Sequence, residues 1–305
     1  MRGIPAASSS GVWALILASM LWGTTGTAAS FLPDSVSPLA VGASTMTIGG
    51  LLLFAVSARP SLAAVRASSS RRWVLIGAVG VFVYPLAFYS SMSLAGVAIG
   101  NVVSLGTGPV FAALLEWIVE RRRLTLRWAL CTAVAIQGVI LLALGSHRDD
   151  APQATSPLLG IGLGVAAGLA YALYTYASSR AIGTGQPSRA VMGSMFGLGA
   201  IALLPVLLVF GAPLLQSTTT VGIAAYLALG PMFVAYLLFG VGMRTLRSST
   251  ATTITLLEPV VATILAVLVV GERLELLGWA GLILILGAVT VLATARQPRS
   301  PGQSP

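Results

Sequence analysis

Hydrophobic and polar positions alternate along this chain in long blocks. Ten apolar segments, at about 11–31, 38–58, 73–93, 97–119, 128–145, 157–179, 190–211, 220–243, 250–271 and 276–295, are separated by short stretches that hold most of the proline, serine and charge. Each segment has the roughly 20 residues that an α-helix needs to cross the hydrocarbon core of a bilayer. The gaps read as connecting loops. The pattern predicts an all-α integral membrane protein with ten transmembrane helices. The first segment follows Arg2 and has Ala28 and Ala29 near its end, the layout of a secretory leader. It runs on to Leu32, longer than a leader's apolar core, and nine more segments follow, so it is read as a retained first helix. The chain ends in RQPRSPGQSP, and a disordered tail is expected over 296–305.

Composition agrees. Of 305 residues, 56% are hydrophobic and 8% charged, whereas a soluble domain carries about a quarter charged residues. The formal net charge is +9, and all 17 basic residues are arginines. They sit in the short loops, with no basic face or aromatic platform, which argues against a nucleic-acid partner. They also orient the chain. With the N-terminus in the cytoplasm, 15 of the 17 fall on the cytoplasmic side, Arg148 and Arg273 being the exceptions, while Asp34, Asp149, Asp150, Glu272 and Glu275 fall outside. That is the positive-inside bias, with both termini cytoplasmic. The one cysteine, Cys131, lies in an apolar run and reads as packing, which excludes an internal disulfide and a Cys-based metal site. The one histidine, His147, sits beside Arg148, Asp149 and Asp150 and reads as surface.

The chain repeats itself. Gly108-Pro109-Val110-Phe111-Ala112 is similar to Glu258-Pro259-Val260-Val261-Ala262 at an offset of 150, and Leu124 and Leu274 keep that offset. ASMLWG, from Ala18 to Gly23, matches AAGLAYA from Ala167 at an offset near 149. Two units follow, 1–145 and 157–295, of five helices each. Five is odd, so the second unit enters from the opposite face: an inverted repeat. Loop charges agree. The loop after the second helix carries Arg59, Arg66, Arg71 and Arg72, while its counterpart from Gly211 to Thr219 carries none.

These features resemble the drug/metabolite transporter superfamily, specifically its EamA-type ten-helix members. The resemblance covers nearly the whole chain. It rests on Trp22-Gly23 in helix 1, a Pro-x-x-Ala pattern in helices 4 and 9, and Tyr226-Leu-Ala-Leu leading to Ala235-Tyr236 in helix 8. It rests most on Leu257-Glu258-Pro259-Val260 running to Gly271-Glu272-Arg273-Leu274 and then Trp279-Ala-Gly281. One departure is at the end of helix 4, where Arg122 stands in place of the glutamate matching Glu272, with Glu120 two residues earlier. The resemblance implies an inner-membrane secondary carrier working by alternating access. Members with similar motifs export amino acids or related metabolites, and others handle drugs or take metabolites up.

Only two acids lie well inside the segments, Glu116 and Glu258. A carboxylate in a membrane span is expensive and marks a functional site by default. Glu258, close to mid-membrane and directly before Pro259, is the candidate for proton coupling or for the counter-charge of a substrate amine. The proline frees a backbone carbonyl one turn earlier, which bends the helix or becomes a ligand. Glu116, near the cytoplasmic arginines, is read as structural, pairing with Arg123 or Arg127 or snorkelling. Trp22, Tyr84, Tyr89, Tyr171 and Tyr236 are mid-depth aromatics suited to an amphipathic cavity wall. Trp22 and Tyr171 hold equivalent places in the two units and suit opposite walls. Trp13, Trp73, Trp117 and Trp279 lie near segment ends and read as interfacial belt. Asn101, Ser104, Thr107, Thr253 and Thr255 are polar groups that line the cavity or join helices. Gly160, Gly164 and Gly168 form a small-residue stripe for close helix packing. Gly160, Gly162 and Gly164 imitate a nucleotide loop, but no strand precedes them and they lie in a span.

The sequence thus predicts a proton-linked exporter of amino acids or similar small metabolites, with Trp22, Tyr89, Asn101, Thr107, Tyr171, Tyr236 and Glu258 as its substrate site. The alternatives are multidrug or lipophilic-cation efflux on the same fold, or metabolite uptake. A membrane enzyme would need catalytic polar residues clustered at one membrane face, and none is seen. No cofactor or metal is called for. The expected partners are a small-molecule substrate, the lipid bilayer and protons; the oligomeric state stays open.

Overall fold

The computed structural model describes residues 7–33, 35–121, 124–145, 156–270 and 274–294. His147, Glu272, Arg273 and the tail 296–305 lie outside them. Ten helices are long and apolar enough to cross a membrane: spans 1 (Ser10–Ala29), 2 (Pro38–Val56), 3 (Ser68–Ala95), 4 (Ile99–Glu120), 5 (Leu126–Leu144), 6 (Pro157–Gly183), 7 (Ser188–Phe210), 8 (Thr218–Gly242), 9 (Ser248–Val269) and 10 (Leu276–Thr294). A short helix, Ala58–Arg66, joins spans 2 and 3. Starts are set by local chemistry. Ser37 accepts a hydrogen bond from Ala40 N ahead of Pro38, Thr125 accepts from Trp128 N, and Ser217 and Thr220 form a reciprocal capping box. Span 3 starts at Ser68, ahead of the apolar run, because its Ser-Ser-Ser-Arg-Arg turn contains no helix breaker and leaves the exposed Arg71 and Arg72 at the helix end. Spans 3 and 4, nearly continuous in the apolar pattern, are separated at Gly96, whose φ of 94° is one that L side chains avoid.

Prolines break two spans. Around Pro231, span 8 widens to a π-turn over Ala228–Val234. Span 9 is two short helices, Ser248–Ile254 and Leu257–Leu265. Pro259 has no N–H, and its ring crowds the carbonyl of Thr255. The chain answers by tightening: Leu256 N donates to Thr253 O at 3.2 Å and Glu258 N to Thr255 O at 2.9 Å, each three residues back instead of four. The freed carbonyl is therefore taken by the backbone of Glu258, and Glu258 stands at the break.

The packing carries a pseudo-two-fold pattern. Span 3 packs on span 6 as span 8 packs on span 1, and span 4 on span 6 as span 9 on span 1. Spans 2 and 7 pair with each other, as do spans 5 and 10. Each pairing exchanges the two five-span halves. Glycines allow the closest approaches. The stripe on span 6 faces spans 3 and 4: Gly160 lies against Ala95, Gly164 against Ser91 and Val103, and Gly168 against Thr107. Outer faces are apolar, with Leu158, Leu208, Leu268 and Leu276 exposed where lipid would lie. Trp13, Trp117 and Trp279 are exposed near span ends, whereas Trp73 is half-buried against Tyr176.

Spans 5 and 10 meet backbone to backbone at Gly138 and Gly281; a Cβ on Gly138 would lie 2.7 Å from the Gly281 carbonyl oxygen. Gly138→Leu should therefore lower the unfolding midpoint of the detergent-solubilised protein, by about 1–3 kcal/mol of overpacking strain. Gly287→Leu, on the same span as Gly281 but with open space around its Cβ, should leave the midpoint unchanged.

Candidate functional site

A cavity of about 90 Å³ lies where spans 1, 2, 3, 4, 6, 8 and 9 converge. The break in span 9 brings Glu258 to its wall. Span 1 contributes Trp22 and Thr25, span 2 Gly42, Thr45 and Met46, and span 3 Tyr84, Phe88 and Tyr89. Span 6 contributes Tyr171 and Tyr174, and span 8 Met232 and Tyr236 at and after its π-turn. Two glycines shape the wall. Gly42 has no side chain where the Tyr89 ring lies, and a Cβ on Gly23 would meet Val261 at 2.6 Å and the Glu258 carbonyl oxygen at 3.0 Å. The Trp22-Gly23 pair therefore combines a large ring for the cavity with a close approach of span 1 to span 9.

The walls are mostly aromatic. Trp22 lies 5.0 Å from Tyr236 and 5.6 Å from Phe239, centroid to centroid, and Tyr236 lies 4.2 Å from Phe196. Tyr84 touches Phe88, Tyr171 and Tyr174 at 5.3–6.0 Å. The hydroxyls of three lining tyrosines are engaged: Tyr174 with Tyr236 at 2.9 Å, and Tyr171 with Thr255 at 2.6 Å. The hydroxyls of Thr25, Tyr84 and Tyr89 make no hydrogen bond to the described residues. The carboxylate of Glu258 likewise has no hydrogen-bond donor or cation among the described residues. The site is an apolar box with one acid and several hydroxyls that have no partner among the described residues. It suits a small organic molecule with an apolar body and a positive or hydrogen-bond-donating group.

Five residues proposed from sequence, Trp22, Tyr89, Tyr171, Tyr236 and Glu258, meet in this cavity, as does Tyr84. Asn101 and Thr107 are not among its lining residues. Thr107 turns toward the glycine stripe of span 6, its hydroxyl donating to Val103 O at 2.7 Å. Thr253 and Thr255 join helices, Thr253 to Thr132 at 2.9 Å and Thr255 to Tyr171. Tyr174, Phe88, Met46 and Met232 went unnoticed. For Tyr174 a signal existed, since it lies one turn beyond Tyr171 on the same helical face. For the methionines none did.

Glu116 is buried, as a structural acid would be, but its partners among the described residues are not arginines. Its Oε1 accepts from Ser248 Oγ at 2.7 Å and Ser249 N at 2.9 Å, and its Oε2 from Ser249 Oγ at 2.9 Å. Span 9 begins beside it and presents donors that outcompete a reach to solvent. Arg127 is exposed, and Arg123 lies outside the described residues. Glu120 pairs with Arg180 at 3.2 Å.

The EamA-like transporter family matches the chain twice, over residues 9–144 and 158–294, once on each five-span half. An uncharacterized transporter of Bacillus subtilis (strain 168), YwfM, is 31% identical over 292 residues, covering 94% of this chain and 95% of its own length. A second from that organism, YyaM, is 24% identical over 274 residues, 88% of this chain and 87% of its own. One solved crystal structure superposes with a TM-score of 0.75 at 22% identity, covering 93% of this chain and 96% of the other, a likeness of fold alone.

Glu116→Ala leaves the buried Ser249 N–H without its acceptor and should lower stability by about 1–3 kcal/mol. Glu116→Gln keeps an acceptor oxygen and should unfold close to the native midpoint. Thermal unfolding in detergent distinguishes the two.

Proposed function

The chain belongs to the EamA-like transporter family, and we propose that it exports amino acids or related small amines across the membrane in exchange for protons. Ten apolar spans make it a multi-pass membrane protein, and its bacterial relatives point to the plasma membrane. Glu258 is the observation that carries the finer reading. It is an acid without a partner among the described residues, at the break of a span, in a cavity otherwise lined mostly by rings, apolar side chains and hydroxyls. Burying an uncompensated carboxylate is costly, so it is occupied in turn by a proton and by a cationic group of the substrate. Each displaces the other, which couples the two fluxes.

With both termini in the cytoplasm, as the arginine distribution favours, the cavity lies between mid-depth and the outer face. The cytoplasmic ends are held together by polar contacts between the halves. Glu116 holds Ser248 and Ser249, Trp128 Nε1 donates to Ser249 O at 3.2 Å, and Ser57 Oγ donates to Arg189 O at 2.9 Å. The opposite ends are joined as well, Thr24 with Tyr226 at 2.7 Å and Ser35 with Gln216 at 3.1 Å, and a carrier whose halves rock about a central site would release one of these two sets at a time. At about 90 Å³ the cavity is below the roughly 300 Å³ of a drug-sized site, which favours a substrate of few heavy atoms. The density of rings around Glu258 favours a second reading, efflux of lipophilic cations held by cation–π contact.

Glu258→Gln, close in shape but without the titrating group, should fold and reconstitute normally. It should also reduce pH-gradient-driven flux in proteoliposomes to the protein-free background. Unchanged pH-dependent flux would overturn the role given to Glu258. Trp22→Ala should raise the half-saturation concentration about five- to thirtyfold for cationic substrates, a loss of ~1–2 kcal/mol. A panel of amino acids and bulky lipophilic cations, run on both variants, separates the two readings.

A further inference from the structure

We propose that a second, polar cavity at the opposite end of the bundle binds an oxyanion, a carboxylate or a phosphate, on Arg247. This cavity has a volume of about 270 Å³. It is enclosed by the end of span 4 (Glu116, Glu120), the end of span 6 (Ser179, Arg180, Thr184) and the start of span 9 (Arg247, Ser248). Four of these residues are ionic, and their pairing is lopsided.

Both oxygens of Glu116 are taken by Ser248 and Ser249. Glu120 is engaged with Nη1 of Arg180 at 3.2 Å. The acids are thus already supplied with donors. The donors are not all supplied with acceptors. Among the described residues Arg247 has neither an ion pair nor a side-chain hydrogen bond. Nε of Arg180 is buried without a partner. The Ser179 hydroxyl has no acceptor among the described residues. Every unsatisfied hydrogen-bonding group identified on this wall among the described residues can donate; Glu116 is answered by neutral donors, Glu120 and Arg180 by each other, and Arg247 alone of the four has no partner among the described residues. An added cation would have to compete with the serine donors on Glu116 and with Arg180 on Glu120. An oxyanion would find the planar fork of Arg247, which fits two carboxylate or phosphate oxygens side by side. Arg247 is half-buried, so this bond forms where water screens it less than at an open surface.

The anion comes either from a soluble molecule or from the headgroup of an acidic lipid, and both share this chemistry. The site is separate from the aromatic cavity and holds whether or not Glu258 couples protons.

The test uses the full chain in nanodiscs of phosphatidylcholine, titrated with succinate or inorganic phosphate against chloride at constant ionic strength, with thermal stabilisation as the readout. In parallel, nanodiscs containing phosphatidylglycerol are analysed for retained lipid by native mass spectrometry. Saturable stabilisation of the native chain by succinate or phosphate identifies a soluble anion. Retained phosphatidylglycerol that abolishes this stabilisation identifies a lipid headgroup. In either case Arg247→Gln should bind about tenfold or more weakly, the cost of losing hydrogen bonds to a charged group. Arg247→Lys should recover part of the affinity, and Glu258→Gln should bind as the native chain does. Equal binding by Arg247→Gln overturns the proposal. So does a native chain to which neither succinate, phosphate nor phosphatidylglycerol binds beyond the chloride control.

Discussion

In a bilayer a helix cannot hand its backbone polar groups to water, so a proline inside a span forces a local rearrangement. Pro259 poses this problem at the centre of the molecule. The solution is a switch to three-residue hydrogen bonding, with Thr255 O bound by Glu258 N at 2.9 Å. That switch divides span 9 and sets Glu258 at the cavity wall. Pro231 does the corresponding work in span 8, where the π-turn carries Met232 and leads to Tyr236. Both spans whose hydrogen-bond ladders are irregular thus contribute to the cavity wall, and one of them supplies its acid.

The two halves share a scaffold and differ in what they place on it. Span 4 meets span 6 as span 9 meets span 1. At the first junction Gly108 stands where the second has Glu258. A Cβ there would lie 2.8 Å from the Tyr171 ring, so the absence of a side chain lets that ring in. At the second junction the close approach is provided by Gly23 of span 1, and span 9 is free to carry an acid. Symmetry of packing thus leaves the cavity chemically one-sided, with rings from both halves and a carboxylate from one.

Away from that cavity the start of span 9 is polar. Ser248, Ser249, Thr252, Thr253 and Thr255 are buried, and their hydroxyls either bond back to the helix's own carbonyls or tie it to Glu116, Thr132 and Tyr171. These contacts connect span 9 to spans 4 and 5 of the first half and to span 6 of its own half. They are side-chain hydrogen bonds between spans, so breaking them would not unfold a span. A carrier whose halves change partners on opposite faces needs contacts of this kind.

The number of spans, their approximate limits and the internal repeat were legible in the residues alone. Apolar length and proline spacing report directly on what a bilayer demands. Trp22, Tyr89, Tyr171, Tyr236 and Glu258, chosen as mid-depth ring or acid residues, share one cavity. The direction each side chain faces was not legible. Asn101 and Thr107 have similar polarity and lie on the same span as the lining residue Leu105, yet Thr107 packs against Gly168 and neither reaches the cavity. Glu116 looked toward arginines in the linear order and found two serines more than a hundred residues away. In a chain apolar on nearly every helical face, periodicity does not separate the lipid side from the protein side. Only the packing of spans against one another, set by glycine close approaches and by the breaks at Pro231 and Pro259, decides which face looks inward.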